Sequence, residues 1–416
     1  MKANILIFIS SIFLFACTVS KSSRYDYTYL YDEDQKAIKP SFKVFHHQND
    51  SSTLFFKLKS DDVLFGKLSN DSTLTARILC KYRVYHPEDQ KTILDSTTVA
   101  FHSFGENSNQ NILQSHFSFK LASGSIYPME LRFRDQYRDL NVVYYLWLDK
   151  RINGNEQFYL IRNEEEVIID KQVNLSESII IEKSPLLPEG LYTLYFSDYS
   201  YSMTPPPFAE PATERETLDY DSSRNIIFVD NKTRVENWST INQLKCNSED
   251  SLLPFYFYDY YPAFPDISEF NQMIEPLRYI TTTKEYNQLK NAANIKREID
   301  NFWLKIGGNA EKAEKMLRLY YKRVQMANEK FTSYKEGWKT DRGIIYIVYG
   351  QPTNIYKGIS SETWVYGEEN NILSIKFQFN RKADARTNNR FDLIRNPDFK
   401  NNWYRAVDQW RQGKVF

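Results

Sequence analysis

Gly337-Trp338-Lys339-Thr340-Asp341-Arg342-Gly343, running directly into Ile344-Ile345-Tyr346-Ile347-Val348-Tyr349-Gly350-Gln351-Pro352, is the stretch on which the fold of this chain turns. Upstream, Asn309 to Phe331 carries apolar residues at Ala313, Leu317, Tyr320, Val324, Ala327 and Phe331. Steps of three and four put them on one helical face. Asn309 is placed to cap that helix, and Glu311 favours its first turn. Gly337 offers a left-handed residue at which the chain can leave the helical region, and Arg342-Gly343 supplies a second turn. Ile344 to Tyr349 is β-branched and aromatic, which predicts a strand closed by Gly350-Gln351-Pro352. The expectation is therefore a helix-to-strand junction.

Gly337, Trp338, Thr340, Asp341, Arg342 and Gly343 are the candidate motif or interaction residues. Two roles are open to them. In a structural role, Trp338 is an anchor buried between helix and sheet. Thr340 and Asp341 then bond backbone N–H groups of the turn, and Arg342 pairs with a carboxylate. In a chemical role, Asp341 and Arg342 bind or transform a ligand, with Glu336 or Glu362 completing a pair of acid/base carboxylates. The structural role is preferred, because Asp-Arg is common in turns and a catalytic site needs more partners.

The surrounding region holds no histidine and no cysteine, which excludes nucleophilic triads and histidine-bound metals within it. No glycine-rich phosphate loop occurs, so no cofactor, metal or catalytic residue is assigned. Together with Phe302-Trp303, Asn309, Tyr321, Arg323, Ala327-Asn328 and Phe331, the motif resembles the GWxTD family of bacterial envelope proteins, common in Bacteroidota. The likeness covers roughly residues 266 to 366. It implies a compartment but no reaction, since the family has no settled activity.

The N-terminus agrees with that compartment. Lys2 precedes an apolar run, Ile5 to Ala16, which is too short to span a bilayer. Leu14-Phe15-Ala16-Cys17 looks like a lipobox, so residues 1–16 are expected to be a lipoprotein signal peptide, Cys17 the acylated N-terminus and 17–24 a tether. No acidic residue follows Cys17 directly. By the same resemblance this favours the periplasmic face of the outer membrane.

Basic and acidic residues number 53 each, with no long run of either sign. Nucleic acid is thereby disfavoured as a partner, since phosphate contacts need a basic patch. Residues 25–123 alternate as strands do: Leu74 to Val84 is apolar at even positions, and Leu54, Phe56, Leu58 and Phe117, Phe119, Leu121 follow suit. Residues 124–232 repeat the character, with Val142 to Leu148, Val167 to Ile169, Ile179 to Ile181 and Leu191 to Phe196. His46, His47, His86, His102 and His116 all fall in the first segment at spacings that match no metal pattern. Cys80 and Cys246 are left as either a lone disulfide or two buried thiols.

The expected fold is mixed and multidomain. Two antiparallel β-sandwich-like, immunoglobulin-like domains (25–123 and 124–232) lead through a linker, 233–265, with the aromatic run Leu253 to Tyr261. An α+β module of long helices on a small antiparallel sheet, 266–416, completes it. The expected function is a non-enzymatic, outer-membrane-anchored interaction or accessory subunit of an envelope assembly. Its partners would be the membrane, through lipid, and an outer-membrane protein. The alternative is a glycan-binding or glycan-processing protein using carboxylates near Asp341.

Overall fold

The computed structural model describes residues 27–28, 31, 38–67, 74–89, 91–104, 112–138, 140–164, 166–169, 173, 178–212, 218–358, 360–369 and 371–415. The expected signal peptide, Cys17 and the tether lie outside these residues. The fold is mixed: antiparallel sheets fill the N-terminal half, and six α-helices occupy the C-terminal part.

The first unit comprises β1 (Ser41–Phe45), β2 (Ser51–Lys59), β3 (Phe65–Gly66), β4 (Thr75–Tyr85), β5 (Ile93–Phe104), β6 (Ile112–Lys120), β7 (Ile126–Asp135) and β8 (Leu140–Asp149). One sheet runs β1-β2-β6; the other runs β3-β4-β7-β8, with β5 also on β4. The period-2 pattern does its expected work. Ala76, Ile78, Cys80, Tyr82 and Val84 of β4 are all buried, and they meet Leu54, Phe56, Leu58, Phe117 and Phe119 from the opposite sheet in one core. The expected boundary at residue 123 is corrected. β7 pairs with β4 from Ile78↔Asp135 to Val84↔Met129, and β8 pairs with β7, so the unit extends to Asp149. Alternation shows that a strand exists, but which neighbour it joins is a long-range choice.

The second unit holds β9 (Tyr159–Arg162), β10 (Val167–Ile168), β11 (Ile179–Lys183), β12 (Leu191–Ser197), β13 (Ser222–Ile227), β14 (Lys232–Val235), β15 (Ile241–Cys246) and β16 (Phe255–Tyr258). Its sheets, β10-β9-β11-β14 and β13-β12-β15-β16, close on a core that includes Phe158, Ile181, Tyr192, Leu194, Leu244 and Phe257. The expected linker 233–265 is therefore corrected too, since it carries β15 and β16. All four residues of β16 are buried. The aromatic run is a strand paired on β15, and its prolines only flank it.

His46 joins the two units. Its ring nitrogens meet Ser52 Oγ at 2.8 Å and Gln157 Oε1 at 3.0 Å. Burial, with Lys150 adding to it, lowers its pKa to about 3, so the ring is neutral. Among the described residues no group of three or more His, Cys, Asp or Glu could hold a metal ion. Cys80 and Cys246 are buried free thiols, which excludes the disulfide.

The C-terminal part follows as α1 (Phe270–Ile274), α2 (Thr283–Lys290), α3 (Ile295–Gly307), α4 (Ala310–Phe331), α5 (Asp341–Tyr349), β17 (Asn354–Lys357), β18 (Ser361–Tyr366), β19 (Ile375–Arg381), β20 (Phe391–Leu393) and α6 (Phe399–Arg411). The four strands form one antiparallel sheet in chain order. Asn309 caps α4 as its position implies, accepting from Lys312 N at 2.9 Å. α2 and α3 are separate helices, each with its own side-chain cap, Thr282 and Asn294.

The strand expected at Ile344 to Tyr349 is also corrected: it is helix α5. Thr340 accepts from Gly343 N at 3.1 Å as its N-cap, and Asp341 sits in the first turn. Ile344, Ile345, Ile347 and Val348 are all buried. A helix enclosed on every side loses its polar face, and with it the period that distinguishes helix from strand. Tertiary burial then overrides β propensity. No helix among the described residues is long and apolar enough to cross a membrane.

Candidate functional site

The motif sits where α4 ends and α5 begins, against the second β unit on one side and the small sheet on the other. Its first task is close approach. A Cβ at Gly337 would overlap the Ala327 carbonyl of α4, and a Cβ at Gly343 would overlap the Gly337 carbonyl. Gly337 is not in the left-handed region expected of it. It is glycine because the turn presses onto α4, leaving no room for a side chain.

Asn328 of α4 organises that contact. Its Oδ1 accepts from Trp338 N at 3.2 Å, while its Nδ2 donates to Pro265 O at 3.2 Å and to Tyr261 Oη at 3.1 Å. Trp338 is buried, edge-on to Tyr279, whose hydroxyl donates to the Trp338 carbonyl at 3.3 Å. Thr340 closes the turn, donating to Gly337 O at 2.7 Å while its oxygen caps α5.

Asp341 and Arg342 leave α5 toward different partners and do not form a pair with each other. Asp341 Oδ2 accepts from Leu393 N at 2.7 Å, and its Oδ1 accepts from Thr204 Oγ1 at 3.0 Å and from Arg395. Arg395 in turn donates to the carbonyls of Pro205 at 3.1 Å, Pro206 at 2.6 Å and Ala209 at 2.7 Å. Asp341 thus holds the arginine that grips the proline-rich strap from the second β unit. Within the strap Ala209 N donates to Pro206 O at 3.0 Å, and Arg395 brings a cation to that same carbonyl and to the carbonyl of Pro205.

Arg342 Nη1 donates to Glu362 Oε2 at 3.1 Å, and Nη2 donates to Asn389 O at 3.1 Å and to its side-chain oxygen. Its guanidinium lies 4.2 Å from the Phe391 ring centroid and 5.1 Å from that of Phe331. Glu362 is fully enclosed. Burial alone would raise its carboxyl, but Lys357, Arg342 and the Tyr31 hydroxyl together hold it below the usual range. Tyr31 donates to Glu362 Oε1 at 2.7 Å, accepts from Lys357 Nζ at 2.9 Å, and packs on Phe331 and Trp364.

Residues 245–412 match the GWxTD domain family. The chain carries a GWxTD domain. No curated protein matches the chain. The match starts at the end of β15, earlier than the helical lead-in, so it takes in all of β16 from the second β unit.

Of the residues expected at the site, Gly337, Trp338, Thr340, Asp341, Arg342 and Gly343 are brought together at this junction, whereas Cys17 lies outside the described residues. Glu362 is the carboxylate for Arg342. Glu336 instead binds Lys339, Oε1 to Nζ at 2.8 Å. Sequence inspection missed Tyr31, Asn389 and Arg395, none of which stands in a local pattern. It also missed a second fastening in the GWxTD domain. There Arg386 stacks 3.8 Å from the Tyr334 ring and pairs with Asp384 at 2.7 Å, and its carbonyl accepts from Tyr258 Oη at 3.0 Å. A cavity of about 300 Å³ between Lys59, Asp62, Lys322 and Lys330 includes none of the motif residues in its lining.

Proposed function

We propose that the protein is a non-enzymatic lipoprotein of the cell envelope, anchored through Cys17 in the outer membrane and facing the periplasm. In this role it is an interaction or accessory subunit of an assembly for export, assembly or uptake. The observation that carries this is the commitment of the motif's charges to internal bonds. Asp341 is spent on Arg395, Thr204 and Leu393 N, and Arg342 on Glu362 and Asn389. Neither carboxylate needed for glycan chemistry is left free, and Glu362 is only 1% exposed.

A domain whose signature fastens a strap from the β half suits a rigid scaffold that presents surface to a partner. We read both β units as immunoglobulin-like sandwiches on the strength of their two-sheet cores, an architecture commonly used for binding through edges and loops. The anchor rests on the apolar run before Leu14-Phe15-Ala16-Cys17.

The test is capture of the tagged full chain from its native membrane in mild detergent, with mass spectrometry of what accompanies it. A stoichiometric outer-membrane partner is expected, and Cys17→Ser should release the chain from the membrane fraction. Recovery of the chain alone, with glycan hydrolysis that Asp341→Asn abolishes at unchanged melting temperature, would overturn the proposal. Trp338→Ala is expected to unfold the GWxTD domain.

A further inference from the structure

β5, 12 residues, is the longest strand among the described residues and has a free edge. It pairs with β4 in continuous register from Thr75↔Phe104 to Val84↔Asp95, then shifts at a bulge that passes over Leu94 to Tyr85↔Ile93, and no other strand among the described residues pairs with it. Leu94 is 48% exposed, and Ser96, Thr97, Thr98, Ala100 and His102 are exposed as well. Its sequence, Ile93-Leu94-Asp95-Ser96-Thr97-Thr98-Val99-Ala100-Phe101-His102-Ser103-Phe104, contains no proline, lysine or arginine. Proteins ordinarily protect long edges with such residues, with bulges, or with a cover; the one bulge of β5 lies at its start, which leaves Asp95 to Phe104 in unbroken register.

Several other edges among the described residues are managed. β8, the other long edge of the same sheet, is capped at its C-terminal end. Gln157 accepts from Asp149 N at 2.9 Å and donates to Trp147 O at 2.8 Å, and Asn155 donates to Asp149 O at 2.9 Å. β13 and β14 are short and carry Arg224, Lys232 and Arg234. β17 receives Tyr27 N on Ile355 O at 2.9 Å. The one charge of β5, Asp95, is turned to internal use, accepting from Tyr82 Oη at 3.2 Å and Lys120 N at 2.8 Å.

We propose that β5 pairs antiparallel with β5 of a second copy of this chain, making one sheet continuous across a two-fold axis. A two-fold axis perpendicular to the sheet keeps the inner face inner in both copies, so it must pass through a residue, Thr98 or Val99. Centred on Thr98, the pairs are Thr97 with Val99, Ser96 with Ala100 and Asp95 with Phe101. Centred on Val99, they are Thr98 with Ala100, Thr97 with Phe101, Ser96 with His102 and Asp95 with Ser103. Neither register sets like charges opposite, and both pair β-branched residues at the centre. The strand is thus complementary to itself, and a second copy offers a free edge of the same length.

The experiment is a cysteine scan of the full chain in whole cells under a mild oxidant, with single substitutions at Ser96, Thr98, Val99 and Ala100. Cys80 and Cys246 are buried, so the unsubstituted chain sets the background. Only the residue on the axis lies directly across from itself, within disulfide reach. The expected result is a disulfide dimer that peaks at Thr98→Cys or at Val99→Cys and falls about tenfold at Ser96→Cys, two or three residues away along the strand. Thr98→Lys, in the otherwise unsubstituted chain, should halve the native mass without moving the melting temperature. Equal yields at all four positions, or none above background, overturn the proposal. Loss of a captured partner in Thr98→Lys without any self-crosslink assigns the edge to a foreign strand, and this also overturns it.

Discussion

In the first β unit, Leu54, Phe56, Ile78, Tyr82 and Phe117 meet across two sheets in one cluster of apolar and aromatic side chains. In the GWxTD domain, Arg342 and Glu362, both nearly inaccessible, lie among Phe331, Trp364 and Phe391. The β core draws its stability from apolar area, a non-directional quantity spread over many residues. The GWxTD core concentrates it in a few groups whose geometry must be right, namely two glycines without space for a Cβ and a buried ion pair with its hydrogen bonds. Many apolar residues can serve the first design, but the second demands particular residues. A short signature can therefore mark this domain without any chemistry being performed by it.

The largest expected effect is that of Gly337→Ala. The new Cβ collides with the Ala327 carbonyl, which belongs to a long helix and cannot yield locally. We expect a loss above about 4 kcal/mol, in the range that single substitutions seldom exceed. Thermal melts with near-ultraviolet circular dichroism would show it, and an unchanged melt would break the comparison.

Glu362→Gln comes next, at about 3–5 kcal/mol, because it strands Arg342 and Lys357 without their anion. The informative contrast is with conservative changes. Leu131→Met in the β core should cost less than about 1.5 kcal/mol. Arg342→Lys should cost clearly more than that, since lysine cannot reproduce the forked contacts to Glu362 and Asn389 or the stacking on Phe391. Equal losses in denaturant titrations would remove the distinction.

Tyr31→Phe should cost about 1–3 kcal/mol, because it leaves Glu362 and Lys357 each short of a hydrogen bond. It should also loosen Tyr31 from its place against Phe331 and Trp364, which limited proteolysis near Tyr31 would report before the GWxTD domain itself is cut.

The smallest effect is on acidification. Arg411 first, and then Thr282, hold the Glu285 carboxyl down to about 2, so its stabilising contribution is complete above about 4.5 and fades as pH falls toward 2. His46, lowered to about 3 chiefly by burial, loses its contribution over a higher window, from about 6.5 downward. Acid titration followed by hydrogen exchange should therefore loosen the junction of the β units before α2 and α6 separate. The reverse order would contradict these assignments.

Much of this was legible in local pattern. Period 2 located β4, and the three-and-four spacing with Asn309 located α4 to within a residue. The motif residues were found, and the structural role preferred for Trp338, Thr340 and Arg342 matches their burial and bonds. Failures came where burial erased the pattern or where the partner was remote. Ile344 to Val348 is apolar on every side, so nothing in its period separates helix from strand. The one available signal was Thr340-Asp341 as a cap followed by an acidic first turn. Arg395 is 54 residues from Asp341, and Tyr31 is 331 residues from Glu362, distances over which no spacing rule operates.

The sequence by itself determined the alternating strands of the β half, the amphipathic helix that ends at Phe331, and that a GWxTD signature marks the junction. These are local quantities, written in alternation, caps and residue identity. Only the tertiary structure decided that β7 and β8 belong to the first unit, that the signature's glycines serve close approach, and that Asp341 and Arg342 face separate partners. Each of those depends on which surfaces meet, and that is settled by burial and long-range pairing between residues the chain keeps far apart.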